Sequence, residues 1–199
     1  MFRRLAGSIA ANPIVYDLIQ KSVGADVVNT RTARALALDR GWLVDVGAGT
    51  GLSPSLQPVG SRYLAIDVDA RKLERLRAKQ PAVSAVFGDG AAIPVGDASA
   101  DALLVKAVLH HLDDGQLDSF VAEAARVLKP GASLVLSEPL WARGHWLGRL
   151  LWAGDRGSYP RSEAQLRGAL EPRFQIRRWE TFAILHRYLL AVAVPATQG

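Results

Sequence analysis

The chain has 199 residues, 49% of them hydrophobic and 22% charged. That balance excludes a disordered or fibrous protein and suits one packed globular domain. It contains no cysteine, which excludes a disulfide framework, a thiolate nucleophile and a cysteine-built zinc site. The net charge of +5 is uneven: residues 1–138 carry fifteen basic and fifteen acidic residues, whereas 139–199 carry nine arginines against Asp155, Glu163, Glu171 and Glu180. Four of the five tryptophans, Trp141, Trp146, Trp152 and Trp179, lie in that last stretch too. A clustered basic stripe for nucleic acid is therefore not what the charge describes.

In chain order, Asn12-Pro13 reads as a helix start with an N-cap followed by proline, and a short helix follows to Lys21. It also interrupts the N-terminal apolar run before a signal peptide is complete. A second helix is predicted over Asp26–Arg40. Leu43–Val46 and Tyr63–Ile66 are short apolar runs that predict buried strands. Asp69 caps the next helix, whose apolar stripe is Leu73 and Leu76. Ala82–Phe87 and Ala102–Val105 predict further strands, with Asp101 capping the second of them. Gln116–Leu128 is an amphipathic helix stopped by Lys129-Pro130-Gly131, followed by a strand over Ser133–Ser137. Trp141–Ala153 and Glu163–Leu170 read as helices, and Phe174–Ile184 and His186–Val194 as two β segments.

Strands alternating with helices predict an α/β fold with a mostly parallel sheet. The last two β segments leave no room for a crossover of a dozen residues, so they predict an antiparallel hairpin. Tyr188–Pro195, the most apolar stretch near the C-terminus, falls far short of the ~20 residues that span a bilayer. A cytoplasmic protein without a membrane span is the expectation, with a surface contact through Phe2, Arg3 and Arg4 or through Trp141–Trp152 left open.

Residues 43–51 read Leu-Val-Asp-Val-Gly-Ala-Gly-Thr-Gly. A strand that runs into Gly-x-Gly-x-Gly permits a tight turn and a close backbone approach to a ligand. It stands at the carboxyl end of the first strand, where open α/β sheets bind nucleotides. Leu52 breaks the dinucleotide fingerprint, and Asp45 suits an ammonium or sulfonium ligand better than a phosphate. Asp67 ends the second strand, where a carboxylate can accept from both ribose hydroxyls. Asp89, at the end of the third strand, can accept from an exocyclic adenine amine.

VDVGAGTG, AIDVD, FGDGAAIPVGDASADALLVKAVLHHLDD and ARVLKPGASLVLSEP, in that order over about residues 42–139, resemble the successive motifs of class I S-adenosylmethionine-dependent methyltransferases. The similarity is to the small-molecule branch that includes the ubiquinone and menaquinone methyltransferases. It implies a single-domain, Rossmann-like, seven-stranded sheet with helices on both faces. Within one domain over residues 1–199, it implies a cofactor-binding core at 42–139 and acceptor-side helices with the C-terminal hairpin at 140–199; the N-terminal helices over 1–40, which precede the first strand and must pack somewhere, are expected as a lid over the site.

By the same resemblance, Gly47, Ala48, Gly49 and Gly51 shape the loop under the methionine moiety, with Asp45 nearby. Asp67 holds the ribose, Val68 packs on the adenine, and Asp89 and Gly90 meet its amine edge. Lys106 stands where relatives carry a small or polar residue, a departure that directs it to the cofactor carboxylate or to an acidic acceptor. His110 and His111 are the candidate bases, with a packing or helix-start role as the alternative. Glu138, Tyr159 and Arg161 are the candidate acceptor residues, and Asp155 and Arg156 more readily make a structural pair. The implied cofactor is S-adenosylmethionine without a metal, and the implied partner is a small molecule that is acidic, a glycan or lipid-linked. A non-catalytic cofactor-binding partner protein and a nicotinamide-dependent oxidoreductase are the alternative readings.

Overall fold

Parallel strands buried on both faces need near-continuous apolar sequence, and the strand at Gly41–Val46 (β1) has it apart from Asp45: its last four residues are all buried. The computed structural model describes residues 25–51, 56–140, 159–184 and 187–196. The other described elements in chain order are α1 (Ala25–Ala35), β2 (Ser61–Asp67), α2 (Ala70–Lys79), β3 (Ser84–Phe87), β4 (Ala100–Lys106), a 3-10 turn at Leu109–His111, α3 (Asp114–Val127), β5 (Leu128–Leu140), α4 (Glu163–Leu170), β6 (Phe174–Ala183) and β7 (Arg187–Pro195). The α1 helix precedes β1, and the remaining elements follow it. The helices expected over Asn12–Lys21 and Trp141–Ala153 lie outside the described residues.

The seven strands form one sheet in the order β3-β2-β1-β4-β5-β7-β6. β1 pairs in parallel with β2 and β4, β2 with β3, and β4 with β5. β7 runs antiparallel between β5 and β6, so the expected mostly parallel sheet with an antiparallel hairpin is what forms. The order reverses direction at β1, which puts a crevice at the carboxyl ends of β1 and β4.

Alternation along the strands builds two cores. Val44, Val46, Leu103, Val105, Leu134 and Leu136 face Phe120, Val121 and Ala124 of α3 and Leu166 and Leu170 of α4. Leu43, Tyr63, Ala65, Leu104 and Val135 face the opposite way, against Leu73 and Leu76 of α2 and Ala35 and Leu36 at the end of α1. The α2 stripe is thus the expected one, and Asp69 caps it by accepting from the Arg71 and Lys72 amides.

The end of α1 and the start of β5 differ most from expectation. α1 stops at Ala35 rather than Arg40: Leu36 is buried and Leu38 packs against the same cluster, and the chain turns there through short bonds from Ala37 N to Ala35 O and Leu38 N to Leu36 O. Burial of these two leucines outweighs continued helix propensity. β5 starts at Leu128, because Ala100 already pairs with it before the ladder shifts and resumes at Ala102 and Ser133.

Asp101 braces the start of β4: its carboxylate accepts from Trp42 N at 2.8 Å and from Lys129 Nζ at 2.6 Å. The Lys129 and Trp42 bonds hold this carboxyl below its ordinary range. Arg126 does the same for Glu123, and Arg178 for Glu180. Groups with depressed native pKa values contribute stability above their unfolded pKa and lose it as pH falls through the native one. Thermal unfolding is therefore expected to be insensitive to pH above about 5 and to fall progressively below about pH 4.5. A flat Tm from pH 6 to pH 3 would contradict this.

Candidate active site

Three left-handed glycines shape the turn after β1, and each needs its glycine differently. Gly47 has φ +73, and a Cβ there would meet Val108 Cγ2 at 2.3 Å. Gly51 has φ +87, and its Cβ would meet the buried Leu76 at 2.4 Å. Gly49 has φ +64, but the nearest heavy atom to its Cβ position is Gly47 O at 4.0 Å. Among the described residues, no side chain therefore crowds its backbone. Gly51→Ala combines left-handed strain of about 1–2 kcal/mol with overpacking of about 1–3 kcal/mol. It is expected to lower Tm by roughly 5–15 °C; Gly49→Ala bears only the strain and should lower it by a few degrees, as differential scanning fluorimetry would show.

The turn is tied to the tip of β2. Gly47 N and Ala48 N donate to Ile66 O at 2.8 and 3.1 Å. Asp67 is 5% exposed; one of its carboxylate oxygens accepts from Gly49 N and the other from Asp69 N, both at 2.8 Å. A carboxylate oxygen has two lone-pair sites, so each retains acceptor capacity toward the crevice. Val68, next in the chain, is 60% exposed. On the neighbouring loop the exposed Asp89 accepts from Ala91 N at 2.9 Å, and a Cβ on Gly90 would touch Val46 at 3.2 Å.

Asp45 is buried at the carboxyl end of β1, where an ionised group needs partners. Tyr63 Oη donates to it at 2.6 Å. Burial, reinforced by this carboxylate, pushes the Tyr63 phenol well above its ordinary value. Lys106, half-buried at the end of β4, donates to Asn29 Oδ1 of α1 at 2.9 Å. Burial pulls its ammonium below the ordinary lysine range, and attraction to Asp45 partly opposes this.

After β4 the chain passes through Ala107 at φ 54, a left-handed conformation that a non-glycine residue keeps only when its surroundings hold it. They do. Ala107 N donates to Ser137 O at 2.8 Å. One Glu138 oxygen accepts from Val108 N and Leu109 N, at 3.1 and 3.2 Å. The other accepts from His110 N at 3.0 Å and from His110 Nδ1. An ionised carboxylate only accepts, so Nδ1 carries the ring proton. Arg161 donates to Leu109 O at 2.5 Å and to Asp114 at 2.9 Å, and Tyr159 N donates to His110 O at 3.0 Å.

Glu138 and Arg161, expected to face an acceptor, are thus 1% and 5% exposed, and their polar groups hold this turn. They are buried because the backbone amides and carbonyl of the turn need partners out of water. Tyr159 is 45% exposed. His110 is buried, and His111, with its ring centroid 4.1 Å from that of His110, is exposed. The structure thus gathers the candidates into two groups, Asp45 with the glycine turn, Asp67 and Lys106, and the histidine turn with Glu138, Arg161 and Tyr159. Asp155 and Arg156 lie outside the described residues.

Three side chains of the site were missed. Tyr63 shares a face with Ala65, the register partner of Asp45, so strand parity alone could have paired it with Asp45. Asn29 and Ser137 carried no signal, because their neighbours come from the packing of α1 and β4.

The arginine excess is largely neutralised where it is described. Arg161, Arg167, Arg173, Arg178 and Arg187 meet Asp114, Glu171, Asp118, Glu180 and Glu163. Arg167 also lies over the Trp179 ring at 4.5 Å. Among the described residues no helix is long and apolar enough to cross a membrane, and no group of three or more His, Asp and Glu is placed to hold a metal ion.

Residues 44–136 match the family model described as a methyltransferase domain. The chain is 39% identical over 95 residues to an uncharacterized methyltransferase of Mycobacterium tuberculosis, covering 47% of this chain and 38% of that protein. It is 32% identical over 142 residues to a malonyl-(acyl-carrier protein) O-methyltransferase of Hahella chejuensis, covering 67% and 49%. The chain thus spans less than half the length of these relatives. The Haloferax volcanii protein solved with the Trm112 methyltransferase activator shares the fold at TM-score 0.79 and 16% identity, over 98% of this chain and 99% of that one. Motif order, sheet order and these matches agree that residues 44–136 are a methyltransferase domain.

Proposed function

We propose that this chain transfers the methyl group of S-adenosylmethionine to a small-molecule acceptor. The observation that carries the reading is the pairing of Asp67 with the open glycine turn: a carboxylate held by Gly49 N at 2.8 Å, with acceptor capacity left toward a crevice that no glycine side chain blocks. When bound, S-adenosylmethionine supplies an electrophilic methyl on a sulfonium; an acceptor lone pair forms the new bond as the C–S bond breaks and leaves S-adenosylhomocysteine.

Asp67 accepts from the ribose hydroxyls, Val68 covers one face of the adenine, and Asp89 with the Gly90 backbone meets its amine edge. Asp45 and the backbone of Gly47, Ala48, Gly49 and Gly51 cradle the α-amino acid end, where a carboxylate attracts an ammonium. Lys106 stands on the acceptor side of that cradle. Transfer of this kind needs alignment and exclusion of water more than side-chain chemistry, and the turn at 107–111, held by Glu138 and Arg161, supplies a rigid wall for it. His110 is a positioning residue with its tautomer set by Glu138. His111, exposed, is the imidazole with access to a proton released by an acceptor, and Tyr159 borders the same side.

Calorimetry of the intact chain with S-adenosylhomocysteine tests this reading. One-to-one binding is expected, as is label transfer from methyl-labelled S-adenosylmethionine into a small-molecule extract. Absence of any binding would overturn it.

A further inference from the structure

Two polar side chains at the carboxyl ends of β4 and β5 carry more donors than the described residues supply acceptors. Ser137 is 1% exposed, and among the described residues its Oγ has no hydrogen-bond partner. Lys106 is its register partner on β4, and register partners in a parallel pair point to the same face. Leu104 and Val135, two residues earlier on each strand, belong to the same core cluster, so both side chains lie on the α1 side. The Lys106 ammonium has three donors; among the described residues one of them meets an acceptor, Asn29 Oδ1 at 2.9 Å. Asp45 attracts it only through space.

Burying a hydroxyl without a bond is unfavourable, and burying a charge without enough acceptors is more so. A surplus made of one ammonium and one hydroxyl matches an oxyanion, which brings charge and several lone pairs together. The pair sits across β1 from Asp67 and the β2 tip, on the side away from the ribose and adenine groups.

We propose that Lys106 and Ser137 seat a carboxylate oxygen of the methyl acceptor, which makes the acceptor a small carboxylic acid. This rests on the methyltransferase reading. The same oxyanion chemistry is present in the methionine end of the cofactor, so the test separates the two sources.

The intact chain, saturated with S-adenosylhomocysteine, is titrated with acetate and benzoate, and with the neutral benzamide, in wild type, Lys106→Met and Ser137→Ala. Ser137→Ala removes only the orphaned hydroxyl, so it folds and serves if Lys106→Met does not. Expected is carboxylate binding to wild type and none of benzamide, a loss of at least tenfold in Lys106→Met and of a fewfold in Ser137→Ala, and cofactor-product affinity within twofold in all three. A tenfold loss of S-adenosylhomocysteine affinity in Lys106→Met would assign the seat to the cofactor's own carboxylate and overturn the proposal. Carboxylate binding that is absent from wild type, or indifferent to both substitutions, would overturn it too. Failure of wild type to bind S-adenosylhomocysteine would strike the methyltransferase reading instead, and the carboxylate titration of the cofactor-free chain would still decide the seat.

Discussion

Asp67→Ala is expected to weaken S-adenosylhomocysteine binding by about 10²–10⁴-fold, the largest single loss in the cofactor half of the site. A hydrogen bond to a charged acceptor contributes about 1.5–3 kcal/mol, and the ribose offers two hydroxyls, so about 3–6 kcal/mol is at stake. The same substitution orphans the Gly49 and Asp69 amides, which Asp67 accepts at 2.8 Å. Binding loss and local loosening therefore come together. Asp67→Asn separates them: its carbonyl oxygen keeps one of the two amide bonds, while the NH2 group faces the other amide with a donor and offers a ribose hydroxyl a weaker, neutral contact. Calorimetry is expected to place Asn between wild type and Ala, with Tm within a few degrees of wild type. Wild-type affinity in Asp67→Ala would remove the residue from the site.

Glu138→Ala is expected to be the most destabilising substitution of the acceptor half. The carboxylate accepts from three backbone amides and one imidazole and is 1% exposed. Truncating it strands buried donors at about 1–3 kcal/mol each and releases the left-handed Ala107 from the brace that holds it. A loss of about 3–5 kcal/mol follows, a Tm drop of roughly 10–15 °C for a chain of this size. Glu138→Gln is no rescue, because each oxygen faces two donors and the amide NH2 would oppose one pair with donors of its own. It is expected to lose about half as much as Ala. Methyl transfer should fall further than cofactor affinity in Glu138→Gln, because the turn at 107–111 borders the acceptor rather than the ribose. A Tm for Glu138→Gln equal to wild type would show that the four donors have other acceptors.

The charge distribution illustrates how far composition reaches. Placing the whole excess after Glu138 argued against a nucleic-acid surface on the core. It did not show that Arg161 is 5% exposed while its partner Asp114 is exposed on α3. Exposed ion pairs such as Arg167–Glu171 contribute at most about 1 kcal/mol each, so most of the described arginines are neither an acceptor surface nor a large source of stability. Arg161 differs because it satisfies a buried carbonyl.

What the sequence determined by itself is everything encoded by neighbours in the chain. Gly-x-Gly-x-Gly after an apolar strand demands left-handed turns. Asp69 and Leu73–Leu76 specify a capped amphipathic helix, and the missing crossover after Phe174–Ala183 leaves only an antiparallel hairpin. These are local rules of backbone conformation, period and loop length, and they place Asp45, Asp67 and Asp89 at strand ends without a structure. The tertiary structure decided which polar groups face a ligand and which face the protein. Glu138 serves a turn 28–30 residues away, Arg161 a carbonyl 52 residues away, and Lys106 meets Asn29 across 77 residues. Such pairings follow from the burial of whole strands and helices against one another, and a buried backbone amide takes whichever carboxylate that packing brings near.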